Sequence, residues 1–332
     1  MFDMPNGTGR VFLFIFLSLI AVIAIFGVYT YNVLSRITGG EDFSHEELFV
    51  DYSFIRATQE ENQPQGSIRK PPHIFIAVFG IDKRYVDEFG RSDTNLLVKV
   101  DFLKRKIKLV SIMRDLLVEI PGHGRNKFNA AFAYGEAKLA LGTLNLNFAL
   151  GIVKYVIVDF QVAEKLIDAV GGVTIEVKPE ELEQLNLCIK ELARLAKDNY
   201  VPLVRSPGVH LLNGRQAVGY ARIRKVGMGD YERTRRQQRV LTELFKKAKL
   251  MSLTTKFRLL DLVSHSVRTN LTLEELKALA FEDYNSYELE TLRIPVWGTF
   301  REETVNINGV PSFVLNADLE KNKELLQKFL LE

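Results

Sequence analysis

VKYVIVDFQVAEKLIDAVGGVTIEV, residues 153–177, is the stretch whose reading decides the fold. Residues 153–160 form an apolar run of strand length, Gln161–Ala169 has helical spacing, and Gly171-Gly172 stops the helix before VTIEV at 173–177 alternates as a strand. A strand-helix-strand unit is the building block of α/β domains. Upstream, HIFIAVFG (73–80), TNLLVKVD (94–101) and IKLVSI (107–112) read as buried strands, the last two joined by the basic turn Lys104-Arg105-Lys106. Helices are expected near Ala130–Leu141 and Asn145–Leu150, over Glu180–Lys197, and, after a loop at 207–214, over Arg215–Ala221 and Tyr231–Leu250. A strand near Glu288–Pro295, a turn at Asn308-Gly309, the segment 310–315 and a helix over Asp318–Leu331 complete the pattern. This interleaving predicts an α/β fold: a single domain with a mixed central sheet flanked by helices on both faces.

Before that domain lies a different kind of sequence. From Val11 to Tyr29 nineteen residues pass without a charge, and fourteen of them are Val, Ile, Leu or Phe. At about 0.3–0.6 kcal/mol each, their insertion into a bilayer is favoured by roughly 6 kcal/mol in sum, and the length matches the hydrocarbon core. The apolar run is too long for a cleaved signal peptide and lacks a small-x-small site. The expected organisation is a short tail at 1–10, a transmembrane helix at 11–30, a linker at 31–70 with a short helix near Glu46–Phe54, and a folded domain at 71–332. Arg10 abuts the apolar run, which places the tail inside and the domain outside the cell membrane, a single-pass arrangement.

Composition narrows the chemistry. Of 332 residues one is cysteine, Cys188, which excludes an intramolecular disulfide and multi-cysteine metal centres. The net charge of +3 gives no global field for nucleic acid, so an anion site has to be built locally. The chain has no phosphate-binding GxxxxGK[ST] loop, no dinucleotide GxGxxG after a strand, no HExxH and no GxSxG. The five histidines are scattered without metal-ligand spacing, and Cys188 sits among leucines as an apolar filler. Trp297 and Phe300 either close the core or face the bilayer.

Arginines and aspartates recur just after expected strands and around helix starts, where ligand groups converge in α/β sheets. They are Asp82 with Arg84, Arg91 with Asp93, Arg114 with Asp115, Arg222 with Arg224, Asp230 with Arg233, and Arg236 with Gln237. Eight arginines fall between Arg205 and Arg239 against two acids, Asp230 and Glu232. Guanidinium forks bind phosphate oxygens bidentately, and paired aspartates can hold a hard divalent cation against a diphosphate. Arg235 and Arg239 fall off the common helix face and read as solvated ion pairs.

In order, the chain contains Gly80-x-Asp82-x-Arg84, Arg91-Ser92-Asp93-Thr94, Ser111-Ile112-Met113-Arg114-Asp115, Lys127-x-Asn129-Ala130 and Gly171-Gly172-Val173. Leu212-Asn213-Gly214-x-Gln216-Ala217, Tyr220-Ala221-Arg222-x-Arg224 and Asp230-x-x-Arg233-x-x-Arg236-Gln237 follow. In sequence and order these resemble the LytR-CpsA-Psr family over residues 73–250. The resemblance implies a membrane-anchored phosphotransferase that moves a glycopolymer from undecaprenyl diphosphate to peptidoglycan through a phosphodiester bond, releasing undecaprenyl phosphate. It implies that Arg91, Arg114, Arg222, Arg224, Arg233 and Gln237 contact the diphosphate. It also implies that Asp82 and Asp93 hold magnesium or manganese, and that an apolar cavity takes the prenyl tail. Phosphoryl transfer needs little more than charge neutralisation and in-line placement; a proton acceptor for the attacking hydroxyl could be Asp93 or Asp230. The family usually has proline where this chain has Met113.

The expected partners are a polyprenyl-diphosphate-linked glycopolymer, peptidoglycan and the lipid bilayer, with no nucleic acid. Two other readings compete. A polyprenyl phosphate-binding protein or pyrophosphatase without ligase turnover would use the same arginines. A membrane-linked transcriptional attenuator is opposed by the apolar segment, the near-neutral charge and the lack of a helix-turn-helix with a basic recognition helix.

Overall fold

The computed structural model describes residues 32, 35, 38–60, 71–81, 90–227, 229–264 and 266–332. The apolar segment at 11–30, and Asp82 and Arg84, lie outside the described residues. Among the described residues no helix is long and apolar enough to cross a membrane.

Six strands form the central sheet in the order β10 (Glu288–Ile294), β3 (Lys106–Ile112), β2 (Ser92–Asp101), β1 (His73–Ile81), β6 (Tyr155–Asp159), β9 (Arg268–Thr269). β1 runs antiparallel to β2 and parallel to β6, while β3 runs antiparallel to β2 and parallel to β10, so the sheet is mixed as expected. Strand alternation gives it two apolar faces. On one, Ala77, Phe79, Leu97, Val110 and Ile157 pack with Phe132, Leu141 and Phe148 of α2 (Phe128–Phe148) and with Leu326 and Leu330 of α9 (Leu319–Leu331). On the other lie Val78, Leu96 and Val158, facing α3 (Phe160–Ala169) and α6 (Asp230–Ala248). Helices therefore cover both faces.

Three sequence expectations change. VTIEV is a strand, β7 (Val173–Val177), but it leaves the central sheet and pairs with β8 (Gly208–Leu212), part of the segment read as a loop. Alternation identifies a strand without naming its partner, and this hairpin forms its own core with α4 (Pro179–Ala196) and α5 (Gly214–Ala221). The residues read as linker also join the domain: Leu48 and Phe54 are buried in the main core, and Asn145 Nδ2 donates to the Leu48 carbonyl at 2.9 Å. The short helix there is α1 (Tyr52–Glu60), later than expected because the Asp51 carboxylate accepts from the backbone N–H groups of Ser53 and Phe54. Finally, α2 absorbs both helices expected between Ala130 and Leu150, with non-helical Gly135 and Glu136 at the kink. Between β3 and α2, β4 (Leu117–Ile120) and β5 (Gly124–Lys127) pair as a hairpin; beyond residue 250, α7 (Leu253–Val263) and α8 (Leu273–Ala280) precede β10, and β11 (Phe300–Ile307) and β12 (Val310–Ala317) form a hairpin turning at Asn308-Gly309.

Candidate functional site

Four segments converge at the ends of β2 and β3. Register explains Asp93: Gly80 pairs with Thr94 but Ile81 with Ser92, which leaves Asp93 as the extra residue of a bulge. A bulge breaks the alternation and re-aims a side chain. Glycine at 80 permits the close strand approach beside it, since a Cβ there would lie 2.9 Å from the Thr94 Cβ.

Arg114 follows β3. The Met113 N–H donates to the Ile294 carbonyl at 2.8 Å, a bond that proline could not make, so the strand carrying Arg114 is tied to the end of β10. Arg224 stands in the loop after α5. The motif before that helix is structural: the Asn213 side chain accepts from Gln216 N at 2.9 Å, and Gln216 Oε1 accepts from Asn213 N at 3.0 Å. This is a capping box. A Cβ on Gly214 would lie 2.1 Å from the Glu164 carbonyl oxygen. Asp230 and Arg233 share the first turn of α6, where an acid suits the helix dipole.

The resulting cluster is tightly wired. Asp93 Oδ1 accepts from Arg114 Nη1 at 2.8 Å and Oδ2 from Arg224 Nη2 at 2.7 Å. Arg233 Nη2 donates to Asp230 Oδ2 at 3.0 Å and to the Asp93 carbonyl at 3.3 Å. Arg114 Nε lies 3.2 Å from both Asp115 and Asp230, and Lys127 Nζ lies 3.1 Å from Asp115. Asp230 Oδ1 lies 2.8 Å from Arg233 Nη2 and 3.2 Å from Arg114 Nε in ion pairs, with no hydrogen bond in line among the described residues. Burial raises the Asp93 pKa, but Arg114, Arg233 and Arg224 outweigh it and bring the carboxyl down to about 2. Burial, aided by Arg114 and Arg224 against the pull of Asp230 and Asp93, brings Arg233 down to about 10. Arg114 is held above its ordinary value, its burial overcome by Asp230, Asp115 and Asp93.

Behind the cluster is an apolar cavity of about 250 Å³ between the sheet, α3 and α6. Arg233, Gln237, Val240, Leu241 and Leu244 line it from one face of α6, so its wall turns from polar to apolar over about 16 Å of helix. Asp93, Arg222 and Arg224 also border it. Leu166 is shared with a second apolar cavity of about 280 Å³ near Phe245 and Leu279. A larger cavity of about 560 Å³ lies on the opposite face, beside Tyr155 and Arg268, away from the arginines.

Of the residues singled out in the sequence, Asp93, Arg114, Arg224, Asp230 and Arg233 come together. Arg222 stands over the Phe160 ring, 4.5 Å from its centroid, with Nη2 3.3 Å from Glu191. Gln237 lines the cavity, and Arg91, directly before β2, is exposed. Asp82 lies outside the described residues, and among them no three His, Cys, Asp or Glu side chains converge as a metal cage. Arg236 points elsewhere: it binds Glu181 at 2.8 Å and the carbonyls of Ile223 and Val226 at 3.2 Å, and so braces the Arg224 loop. Sequence reasoning gave no role to Asp115 and Lys127, although both stand within motifs, and nothing near Glu181 marks it as the partner of Arg236.

Fold and site define a class: an α/β domain in which a cluster of arginines and aspartates opens onto an apolar cavity. Comparison with known proteins makes this specific. Residues 50–328 match the LytR_cpsA_psr family, and the chain belongs to it. It is 30% identical over 276 residues to the regulatory protein MsrR of Staphylococcus aureus (strain Mu50 / ATCC 700699), covering 82% of this chain and 78% of that one. It is 31% identical over 268 residues to the polyisoprenyl-teichoic acid–peptidoglycan teichoic acid transferase TagU of Bacillus mycoides (strain KBAB4), covering 80% of each. Its fold is similar to YwtF (TagT) of Bacillus subtilis with bound octaprenyl pyrophosphate lipid, at a TM-score of 0.56 and 25% identity over 81% of this chain and 94% of that one.

Proposed function

We propose that this protein is a transferase that moves a glycopolymer from undecaprenyl diphosphate to peptidoglycan, leaving a phosphodiester linkage and releasing undecaprenyl phosphate. The observation that carries this reading is the face of α6 on which Arg233 and Gln237 give way to Val240, Leu241 and Leu244. A prenyl diphosphate has the same order of chemistry, a charged head on a hydrocarbon tail. The substrate named for TagU and the lipid bound to TagT support that class. The proposal includes an anchor at residues 11–30 and a domain outside the membrane.

In this mechanism the tail enters the cavity and Arg114, Arg222, Arg224 and Arg233 surround the diphosphate, with Arg91 and Gln237 at its margin. An acceptor hydroxyl attacks the phosphorus bearing the sugar. A P–O bond to the acceptor forms, the bridging P–O bond breaks, and the electron pair leaves with prenyl phosphate. An aspartate of the cluster, Asp93 or Asp230, takes the hydroxyl proton. Both pair with Arg114, and in addition Asp93 pairs with Arg224 and Asp230 with Arg233. The arginines stabilise charge that grows on the leaving phosphate.

Magnesium or manganese belongs to the same proposal. Mg²⁺ takes one or two carboxylates together with substrate phosphates and water, all hard oxygens, and Asp93, held ionised, fits that donor set with Asp82 as the second ligand. When bound, the ion supplies further neutralisation of the diphosphate. The test is transfer by the full chain in detergent of a radiolabelled prenyl-diphosphate-linked saccharide to a peptidoglycan oligomer, with and without Mg²⁺. Metal-dependent product is expected. Tight donor binding without product would overturn transfer in favour of a binding protein.

A further inference from the structure

Next to Asp230, four side chains that the mechanism does not use stand in a row. The Arg293 guanidinium carbon lies 3.2 Å from the ring centroid of Tyr231, the residue after Asp230. Tyr231 meets Trp297 edge to face, with centroids 5.1 Å apart at 68°, and Trp297 meets Phe300 at 5.8 Å and 80°. The row is tied to the cluster at two points, Tyr231 and Arg293. Tyr231 adjoins Asp230 in α6, and Ile294, which follows Arg293, accepts the hydrogen bond from Met113, which precedes Arg114.

Its polar and apolar atoms are turned to a use that packing does not explain. Trp297 is 61% exposed although two rings buttress it, so it does not close the core. Arg293 forms no ion pair among the described residues, and its Nε is buried without an acceptor. It is a planar cation laid on an aromatic ring with its donors unspent, whereas Arg114 and Arg224 are each held by a carboxylate.

We propose that Trp297, Tyr231 and Arg293 form a saccharide subsite, in which a pyranose ring lays its C–H face on Trp297 and accepts hydrogen bonds from Arg293. An aromatic face carries partial negative charge and attracts the polarised C–H bonds of a sugar. A guanidinium offers donors in one plane to neighbouring hydroxyl or acetamido oxygens. The inference rests on the diphosphate reading above, because adjacency to Asp230 sets the row beside the phosphate that bears the sugar. Two sources present such a ring, the first sugar of the donor polymer and a sugar of the peptidoglycan acceptor.

Trp297 is the single tryptophan of the chain, so its fluorescence reports on this subsite alone. The full chain in detergent is titrated with an N-acetylglucosamine tetramer for the acceptor, and with a short prenyl diphosphate carrying or lacking a disaccharide for the donor. A saturable change with the tetramer assigns the subsite to the acceptor; a change with the sugar-bearing lipid beyond that with the sugar-free lipid assigns it to the donor. No saturable change with either sugar overturns the proposal. In transfer assays Trp297→Ala and Arg293→Ala are each expected to raise KM for the assigned substrate about tenfold while kcat stays within about twofold. An unchanged KM in both variants also overturns it. A fluorescence response without any transfer would sink the transferase reading and leave the subsite standing, and transfer without a response would do the reverse.

Discussion

Arg233 and Arg236 are one helical turn apart on α6, both nearly sealed from solvent, and they do opposite things. Arg236 spends its guanidinium on Glu181 and two loop carbonyls. Arg233 gives Nη2 to Asp230 and to the Asp93 carbonyl, keeps a buried Nε with no acceptor among the described residues, and sits beside two further arginines at the mouth of an apolar cavity. A structural arginine has its donors satisfied by the protein, because an unmet buried donor carries a desolvation penalty. An arginine placed among other cations with a donor to spare has capacity for an anion beyond those the chain supplies. Burial and residue type are alike; satisfaction separates them.

The comparison breaks most visibly in transfer. Arg224→Ala, at the open side of the cluster, is expected to lower the transfer rate at least about 100-fold while the thermal midpoint stays within about 2 °C. A parallel loss of stability and activity would make the cluster structural. Arg236→Ala is expected to do the reverse first: it leaves Glu181 buried and unpaired, which costs about 3–5 kcal/mol in urea unfolding. A smaller, pH-dependent effect sharpens the role of Asp93. Its folded pKa of about 2 lies below the ordinary 3.8, so its contribution is full above about pH 5 and is lost as the pH falls through 2. The stability gap between the wild type and Asp93→Asn is therefore expected to shrink by about 2 kcal/mol between pH 6 and pH 2. A pH-independent gap would show that the three arginines do not hold its charge. Least affected is Arg235→Ala: its pair with Glu232 is exposed, and stability should change by less than about 0.5 kcal/mol with transfer unaltered.

Five of the six strands of the central sheet were legible, the inner four because they are apolar on both faces, and so was the hairpin of β2 and β3, whose turn is short and basic; the two-residue edge strand β9 was not. β7 was legible as a strand but not as part of a separate hairpin. Its partner shows Val209 and Leu211 largely exposed between Pro207-Gly208 and Asn213-Gly214, and turn residues so close together look like a loop. The cluster was legible as a set of residue types in order. Its bulge at Asp93 was not, since one extra residue in a strand leaves no mark in composition. The subsite row was least legible of all, because Tyr231, Arg293 and Trp297 belong to no shared motif.

By itself the sequence determined the α/β pattern, the apolar stripe of α6 and the supply of arginines and aspartates, because periodicity and charge are local properties of the chain. Only the tertiary structure decided which of those charges face a ligand. Asp93 and Arg233 are 140 residues apart in the chain and meet through a strand bulge, a capped helix and the packing of α6 on the sheet. Whether a buried donor finds its acceptor depends on which distant backbone arrives beside it, and no spacing along the chain encodes that.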